Sequence, residues 1–232
     1  MSQNTSSAVM QQRSEPNDSL DDFPTPPWAT RALCQWLESQ DELVGQMTCR
    51  EPAANRGFMA RTLAEHFKTV VASDVHDYGA GYPVEDYLFG PADFTPTTQF
   101  TITNPPFRLA EQFIARALAR SSIGVAMIVR SSFLEGQDRY KTLFSQEPPT
   151  HVLQFTERVG MFRGRMVRVG DPDPANIDPK TGEPRKASTA TSYCWLVWLR
   201  WEFQRERSTR LVWIPPIRRI LERAGDYPEA AA

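Results

Sequence analysis

Cysteine is scarce in this 232-residue sequence: Cys34, Cys49 and Cys194 stand far apart and form no CxxC pair. That excludes a disulfide framework and a cysteine-based zinc cluster, and we read the three thiols as reduced and buried. Histidine is as scarce; His66, His76 and His151 have no ligand-like spacing, so each is expected in packing or on the surface, and no metal is expected. No stretch approaches the roughly 20 uninterrupted apolar residues that a membrane-spanning helix needs. The opening residues, MSQNTSSAVMQQRSEPNDS, have neither a basic n-region nor an apolar h-region. No membrane partner is therefore expected, and a cytoplasmic location is. With 41% hydrophobic and 23% charged residues, the chain is neither collagen-like nor wholly disordered.

Proline, by contrast, is plentiful: nineteen residues predict many loops. The net charge of −2 conceals an uneven split. From Arg158 to Arg223 fourteen basic residues face seven acidic ones, leaving +7 there and −9 elsewhere. Such asymmetry is the footprint of a polyanion partner or of an ordinary solvated surface, and charge alone does not choose between them.

Residues 1–21 are polar and without pattern and read as a disordered tail; a single domain is expected over 22–225, with a short C-terminal tail at 226–232. Apolar spacing predicts helices over Ala29–Glu38, Phe58–Phe67 and Leu109–Arg120. Strands are predicted at Gln46–Arg50, Thr69–Ser73, Phe100–Thr103, Gly124–Val129, His151–Phe155 and Tyr193–Leu199. Alternating strand and helix signals predict an α/β fold with a mainly parallel sheet. The last two strands lack a clear helix between them and read as an antiparallel pair at one edge. Between them, 164–191 is far longer than an ordinary connection and reads as a functional or mobile loop. We find no internal repeat. Trp195, Trp198 and Trp201 imitate a base-stacking platform, but in a strand Trp198 faces away from the other two, which favours packing.

Three short segments carry chemistry. EPAANRGFMA (Glu51–Ala60) lies between a predicted strand and helix, where the chain must turn sharply beside a ligand. Gly57 tolerates such a turn, Asn55 visits the left-handed region readily, and Glu51 can meet a positive ligand group; an ordinary strand-to-helix loop reads much the same. Asp74, seventeen residues after Gly57, ends an apolar strand, where a carboxylate can accept from both hydroxyls of a ribose or merely cap the strand. Asn104-Pro105-Pro106-Phe107 follows the strand FTIT. Its two prolines stiffen the loop and remove two donors, leaving the Asn104 amide oxygen and backbone carbonyls as acceptors for an exocyclic amino group, while Phe107 offers a face to a planar base.

Taken in this order, the segments resemble the S-adenosylmethionine-dependent amino-methyltransferases, most closely the N6-adenine DNA methyltransferases of NPPF type and their small solitary or phage-borne members. The resemblance covers about residues 22–200. It implies a Rossmann-like class I methyltransferase fold, mainly parallel with an antiparallel edge strand, and S-adenosylmethionine as cofactor. EPAANRGFMA looks like the cofactor loop, with Glu51, Pro52, Asn55 and Gly57 as contacts. Asp74 matches the ribose-binding acid, Asp93 and Phe94 the position beside the cofactor adenine, and FPTPPW, with Thr25, Pro26 and Trp28, the motif that closes over the methionine end. Asn104, Pro105, Pro106 and Phe107 would be the catalytic motif, gripping the amino group of a flipped adenine. This chain departs from the family in having Asn55 where glycine is usual, and in lacking a separate recognition domain; only 164–191 is long enough to serve. Arg163, Arg165, Arg168 and Lys186, in or beside that stretch, are the expected phosphate-binding residues, with DNA as the expected partner. Methylation of RNA, of a protein glutamine or of cytosine N4, and a catalytically silent binding module, stay open as rivals.

Overall fold

A computed structural model describes residues 20–40, 43–89, 98–203 and 207–228. The chain enters through Pro26 at the cap and Pro27 in the first turn of helix α1 (Pro27–Ser39), where a fixed φ suits the helix and a missing N–H leaves nothing unsatisfied. It continues through strand β1 (Thr48–Glu51), helix α2 (Phe58–Leu63), strand β2 (Thr69–Ala72), strand β3 (Thr98–Thr103), helix α3 (Ala110–Arg120) and strand β4 (Ser121–Arg130). Strand β5 (His151–Phe155), a two-stranded hairpin of β6 (Pro172–Ile177) and β7 (Pro184–Lys186), strand β8 (Tyr193–Leu199) and strand β9 (Arg210–Ile214) follow.

Seven of these strands form one sheet in the order β2-β1-β3-β4-β8-β5-β9. Neighbours from β2 to β4 are parallel, β8 runs antiparallel to both β4 and β5, and β5 is parallel to β9. The expected fold class is the one found, with one adjustment. The antiparallel pair β5–β8 exists, but β8 lies inside the sheet and β9 forms the edge. Every residue of β8 is buried; a strand apolar on both sides needs cover on both faces and a hydrogen-bonding neighbour on each flank. The outer strand is instead β9, which leaves Leu211 and Trp213 largely exposed and which periodicity did not reveal.

Two apolar layers sandwich the sheet. Trp195 and Val197 point into one layer with Trp28, Leu33, Phe100 and Ile128, and Cys194, Leu196 and Trp198 point into the other with Ile114 and Met127. Trp195 and Trp198 are thus core residues on opposite faces, whereas Trp201 lies beyond the strand in a short helix and is half exposed. All three cysteines are free and buried. Burial pushes their thiols up, that of Cys194 to about 12.

The expected long loop at 164–191 contains the β6–β7 hairpin as a small sheet of its own. Its turn closes through Gly182, at φ 74°, whose N–H donates to the Asp178 carbonyl at 2.8 Å. Both ends of the described chain are tied to the fold. At the start, Asp21 accepts from the Phe107 N–H, and the Asp22 carbonyl accepts from the Gly164 N–H at 2.8 Å. At the end, Asp226 is buried against Arg31, which donates to both its carboxylate oxygens at 2.7 and 2.8 Å and forks onto Glu65 with its other edge. A buried charge must be paired, so this pair fixes the C-terminal segment on α1 and α2.

Candidate cofactor and substrate site

The carboxyl ends of β1, β2 and β3 open onto a cavity of about 370 Å³. Parallel strands deliver their ends to one side of a sheet, so segments distant in sequence converge there: Glu51 and Asn55 after β1, Asp74 after β2, Asn104 and Pro106 after β3, and Thr25 from the entry segment. Glu51 is wholly buried. Its Oε1 accepts from the Ala53 N–H at 3.0 Å and from the Thr103 hydroxyl, while Oε2 is buried with no partner. Burial pushes its carboxyl up to about 8, against the pull of the Thr103 and Ala53 donors. The Thr25 hydroxyl, also on the cavity wall, is buried without a hydrogen-bond partner as well.

The loop after β1 holds two left-handed residues, Asn55 at φ 51° and Gly57 at φ 79°. Asn55 occupies its strained well with its N–H and both side-chain polar atoms engaged. Its N–H donates to Asp74 Oδ2 at 2.8 Å, its Nδ2 to Asp22 Oδ1 at 2.8 Å, and its Oδ1 accepts from the Arg56 N–H at 2.7 Å. This left-handed position is thus filled by a non-glycine residue able to satisfy itself there. Asp74 accepts from the His76 N–H at 3.0 Å through its other oxygen, so one carboxylate ties the loops after β1 and β2 together. Burial raises its carboxyl above the usual range.

On the far wall, Asn104 Nδ2 donates to the Phe23 carbonyl at 2.8 Å and lies 3.8 Å from Met161 Sδ. With the amino end committed to Phe23, Oδ1 is the group left to accept.

No protein-family model and no curated protein matches the sequence. Likeness is found instead among solved structures. A candidate RNA methyltransferase from Pyrococcus horikoshii aligns over 83% of this chain and 95% of its own, at TM-score 0.55 and 17% identity. A candidate class I S-adenosylmethionine-dependent methyltransferase from Listeria monocytogenes aligns over 85% of this chain and 67% of its own, at TM-score 0.53 and 10% identity. The fold is that of a class I methyltransferase. A type I restriction-modification methyltransferase subunit from Streptococcus thermophilus aligns at TM-score 0.51 and 13% identity over 83% of this chain, which spans 47% of that subunit.

Within this methyltransferase fold the structure brings Thr25, Glu51, Pro52, Asn55, Asp74, Asn104 and Pro106 to one cavity. Gly57 sits behind it, capping α2, where an added Cβ would run into the Tyr82 ring. Pro105 is buried and absent from the wall. Pro26 and Trp28 are set back as well; Trp28 is core, edge-on to Phe155 with ring centroids 5.4 Å apart. Asp93 and Phe94 lie outside the described residues. The segment Asp86-Tyr87-Leu88, absent from the sequence-based expectation, lines the cavity, and so do Leu20, Val75, Tyr78 and Gln112. An aspartate followed by an aromatic residue, the same pairing that singled out Asp93-Phe94, was the available signal for Asp86-Tyr87.

Phe107 is not among the residues that line the cavity. Its ring packs at 5.8 Å from that of Phe23, and the Arg130 guanidinium lies over it at 4.0 Å from the centroid. Of the expected phosphate contacts, Arg165 is forked onto Asp173 at 2.6 and 2.9 Å. Arg168 reaches Glu222 at 3.3 Å and Asp171 at 3.5 Å. Arg163 and Lys186 lie on the exposed surface. No helix among the described residues is long and apolar enough to cross a membrane.

Proposed function

We propose that this protein transfers a methyl group from S-adenosylmethionine to the N6 amino group of adenine in DNA. The observation that carries this reading is the oriented Asn104 amide. Its Nδ2 is held by the Phe23 carbonyl at 2.8 Å, which leaves Oδ1 as the group able to accept on a residue that lines the same cavity as Glu51 and Asp74.

The donor set fits the cofactor. Glu51 Oε2 is a buried acceptor without a partner, suited to a cationic amino group, and the Thr25 hydroxyl is a second unpartnered polar atom on the wall. Asp74 spends one lone pair of each oxygen on a backbone N–H and keeps others for ribose hydroxyls. Val75, Leu88 and Phe113 supply apolar wall suited to a purine. When bound, the cofactor contributes an electrophilic methyl group on a sulfonium.

The protein's own work is positioning and polarisation. Asn104 Oδ1 and the Pro105 carbonyl accept hydrogen bonds from the two N–H groups of the target amino group, raising electron density on its nitrogen and aiming its lone pair toward the cofactor side; once the nitrogen has taken the methyl group it gives up one of those protons to solvent. The two prolines keep that loop from competing with donors of its own. The NPPF tetrapeptide supports adenine N6 over cytosine N4, and the +7 stretch from Arg158 to Arg223 supports a nucleic acid over a protein substrate.

Methyl transfer from labelled S-adenosylmethionine to unmethylated DNA, total RNA and protein extract, with the product identified by mass spectrometry, tests the reading. Label recovered as N6-methyladenine in DNA is the expected result. Label in RNA or protein overturns the substrate and leaves the chemistry, and no label with cofactor still bound favours a silent module.

A further inference from the structure

Strand β3 divides the carboxyl edge of the sheet. Because the order runs β2-β1-β3-β4-β8, the loops bearing Glu51, Asn55 and Asp74 lie on one side of Asn104. Arg130, the last residue of β4, lies on the other. Its guanidinium rests on the Phe107 ring at 4.0 Å, its Nε is buried without a hydrogen-bond partner, and among the described residues no carboxylate pairs with it. Arg158, shortly after β5, is a second such cation. It is exposed and donates to the Ala190 carbonyl at 3.0 Å and to the Ser192 hydroxyl, again with no carboxylate partner among the described residues. Both bear on the start of β8: Arg130 stands in register with Tyr193, and Arg158 holds Ala190 and Ser192 in the segment that leads into it.

The contrast with the arginines nominated by sequence is one of charge balance. Arg165 and Arg168 have carboxylates of their own, so a phosphate must compete with Asp173 or with Glu222. Arg130 and Arg158 are held by an aromatic face and by neutral oxygens, which position a guanidinium without neutralising it. A partly desolvated cation left uncompensated beside the substrate side of a catalytic loop suits a polyanion.

We propose that Arg130 and Arg158 bind the backbone phosphates of the strand that carries the target nucleotide, a role that rests on the nucleic-acid methyltransferase reading. The test measures affinity for a fluorescently labelled, adenine-containing DNA duplex as a function of salt, using the full chain and the variants Arg130→Gln, Arg158→Gln, Arg130→Lys, Arg130→Met and Arg165→Gln. Each Gln change at 130 or 158 is expected to make the slope of log affinity against log salt shallower by about 0.9, and the pair by about twice that. S-adenosylmethionine binding stays unchanged. Arg130→Lys keeps the slope, and Arg130→Met, which retains an apolar stem against Phe107, does not; a wild-type slope in the Met variant would show a packing role and overturn the proposal. Arg165→Gln should leave the slope nearly intact. Wild-type protein that binds DNA with a steep salt dependence while both Gln variants match it would refute the phosphate role and leave the methyltransferase reading standing. Wild-type protein that neither binds nor methylates DNA or RNA would remove that reading, and this proposal with it. Arg158→Gln, at an exposed side chain, keeps the test open if changes at Arg130 disturb folding.

Discussion

Glu51 ties stability and cofactor affinity together with opposite signs, and Glu51→Gln separates them. The folded protein holds this carboxyl protonated up to about pH 8 because burial disfavours its charge, whereas in the unfolded chain it ionises near 4.5. Between those values the unfolded state gives up a proton that the folded state keeps. The stabilisation is fully present below pH 4.5 and is lost as pH rises to about 8, at about 1.4 kcal/mol per pH unit. By pH 7 the loss is about 3 kcal/mol. Glutamine resembles the protonated acid in shape and does not titrate, so the constant offset of the substitution cancels when the two proteins are compared across pH. Urea unfolding of both from pH 4.5 to 8 should show wild type losing about 3 kcal/mol relative to the variant by pH 7. S-adenosylmethionine affinity should collapse in the variant. Calorimetry in buffers of different ionisation enthalpy should find that wild type releases close to one proton on binding the cofactor at pH 7, as Glu51 ionises against a cationic amino group. Parallel stability curves for the two proteins would show that Glu51 titrates as an ordinary exposed carboxylate, and the account of the cavity would fail.

Asn104→Ala should lower methyl transfer by a factor of at least about 10²–10³, as for loss of a preorganised polar group at a reacting centre, with melting temperature and cofactor affinity nearly unchanged; lost folding or cofactor binding would make Asn104 structural. Gly57→Ala forces a side chain into a left-handed residue and against the Tyr82 ring, so it should cost more than about 1 kcal/mol in chemical unfolding and weaken cofactor binding with it. Asn55→Gly at the neighbouring left-handed position should stay within about 1 kcal/mol of wild type, which denaturation can compare directly. Arg31→Met strands the buried Asp226 carboxylate and should cost about 3–5 kcal/mol, part of which Asp226→Asn recovers.

The elements that periodicity located were those whose burial pattern is local. The run YCWLVWL was legible as Tyr193–Leu199, and HVLQF as His151–Phe155, because each is apolar enough to be nothing but a buried strand. The edge strand Arg210–Ile214 was missed because its exposed Leu211 and Trp213 blur the alternation that identifies a half-buried strand. The hairpin inside 164–191 was missed because its strands are mostly polar and exposed and are held by backbone pairing and a tight turn, which leave no trace in apolar spacing.

The site divides in the same way. Sequence alone determined the α/β class, the turn at Asn55–Gly57, the acid after β2 and the Asn-Pro-Pro-Phe loop, since each is a short-range consequence of residue type at a strand end. Tertiary structure alone decided which way the Asn104 amide points, because its partner is the carbonyl of Phe23, 81 residues away. It alone decided that Arg165 and Arg168 are neutralised within the protein while Arg130 and Arg158 are not. A residue's charge and hydrogen-bonding capacity are written in its identity, but whether they remain available to a ligand depends on what the fold places beside them.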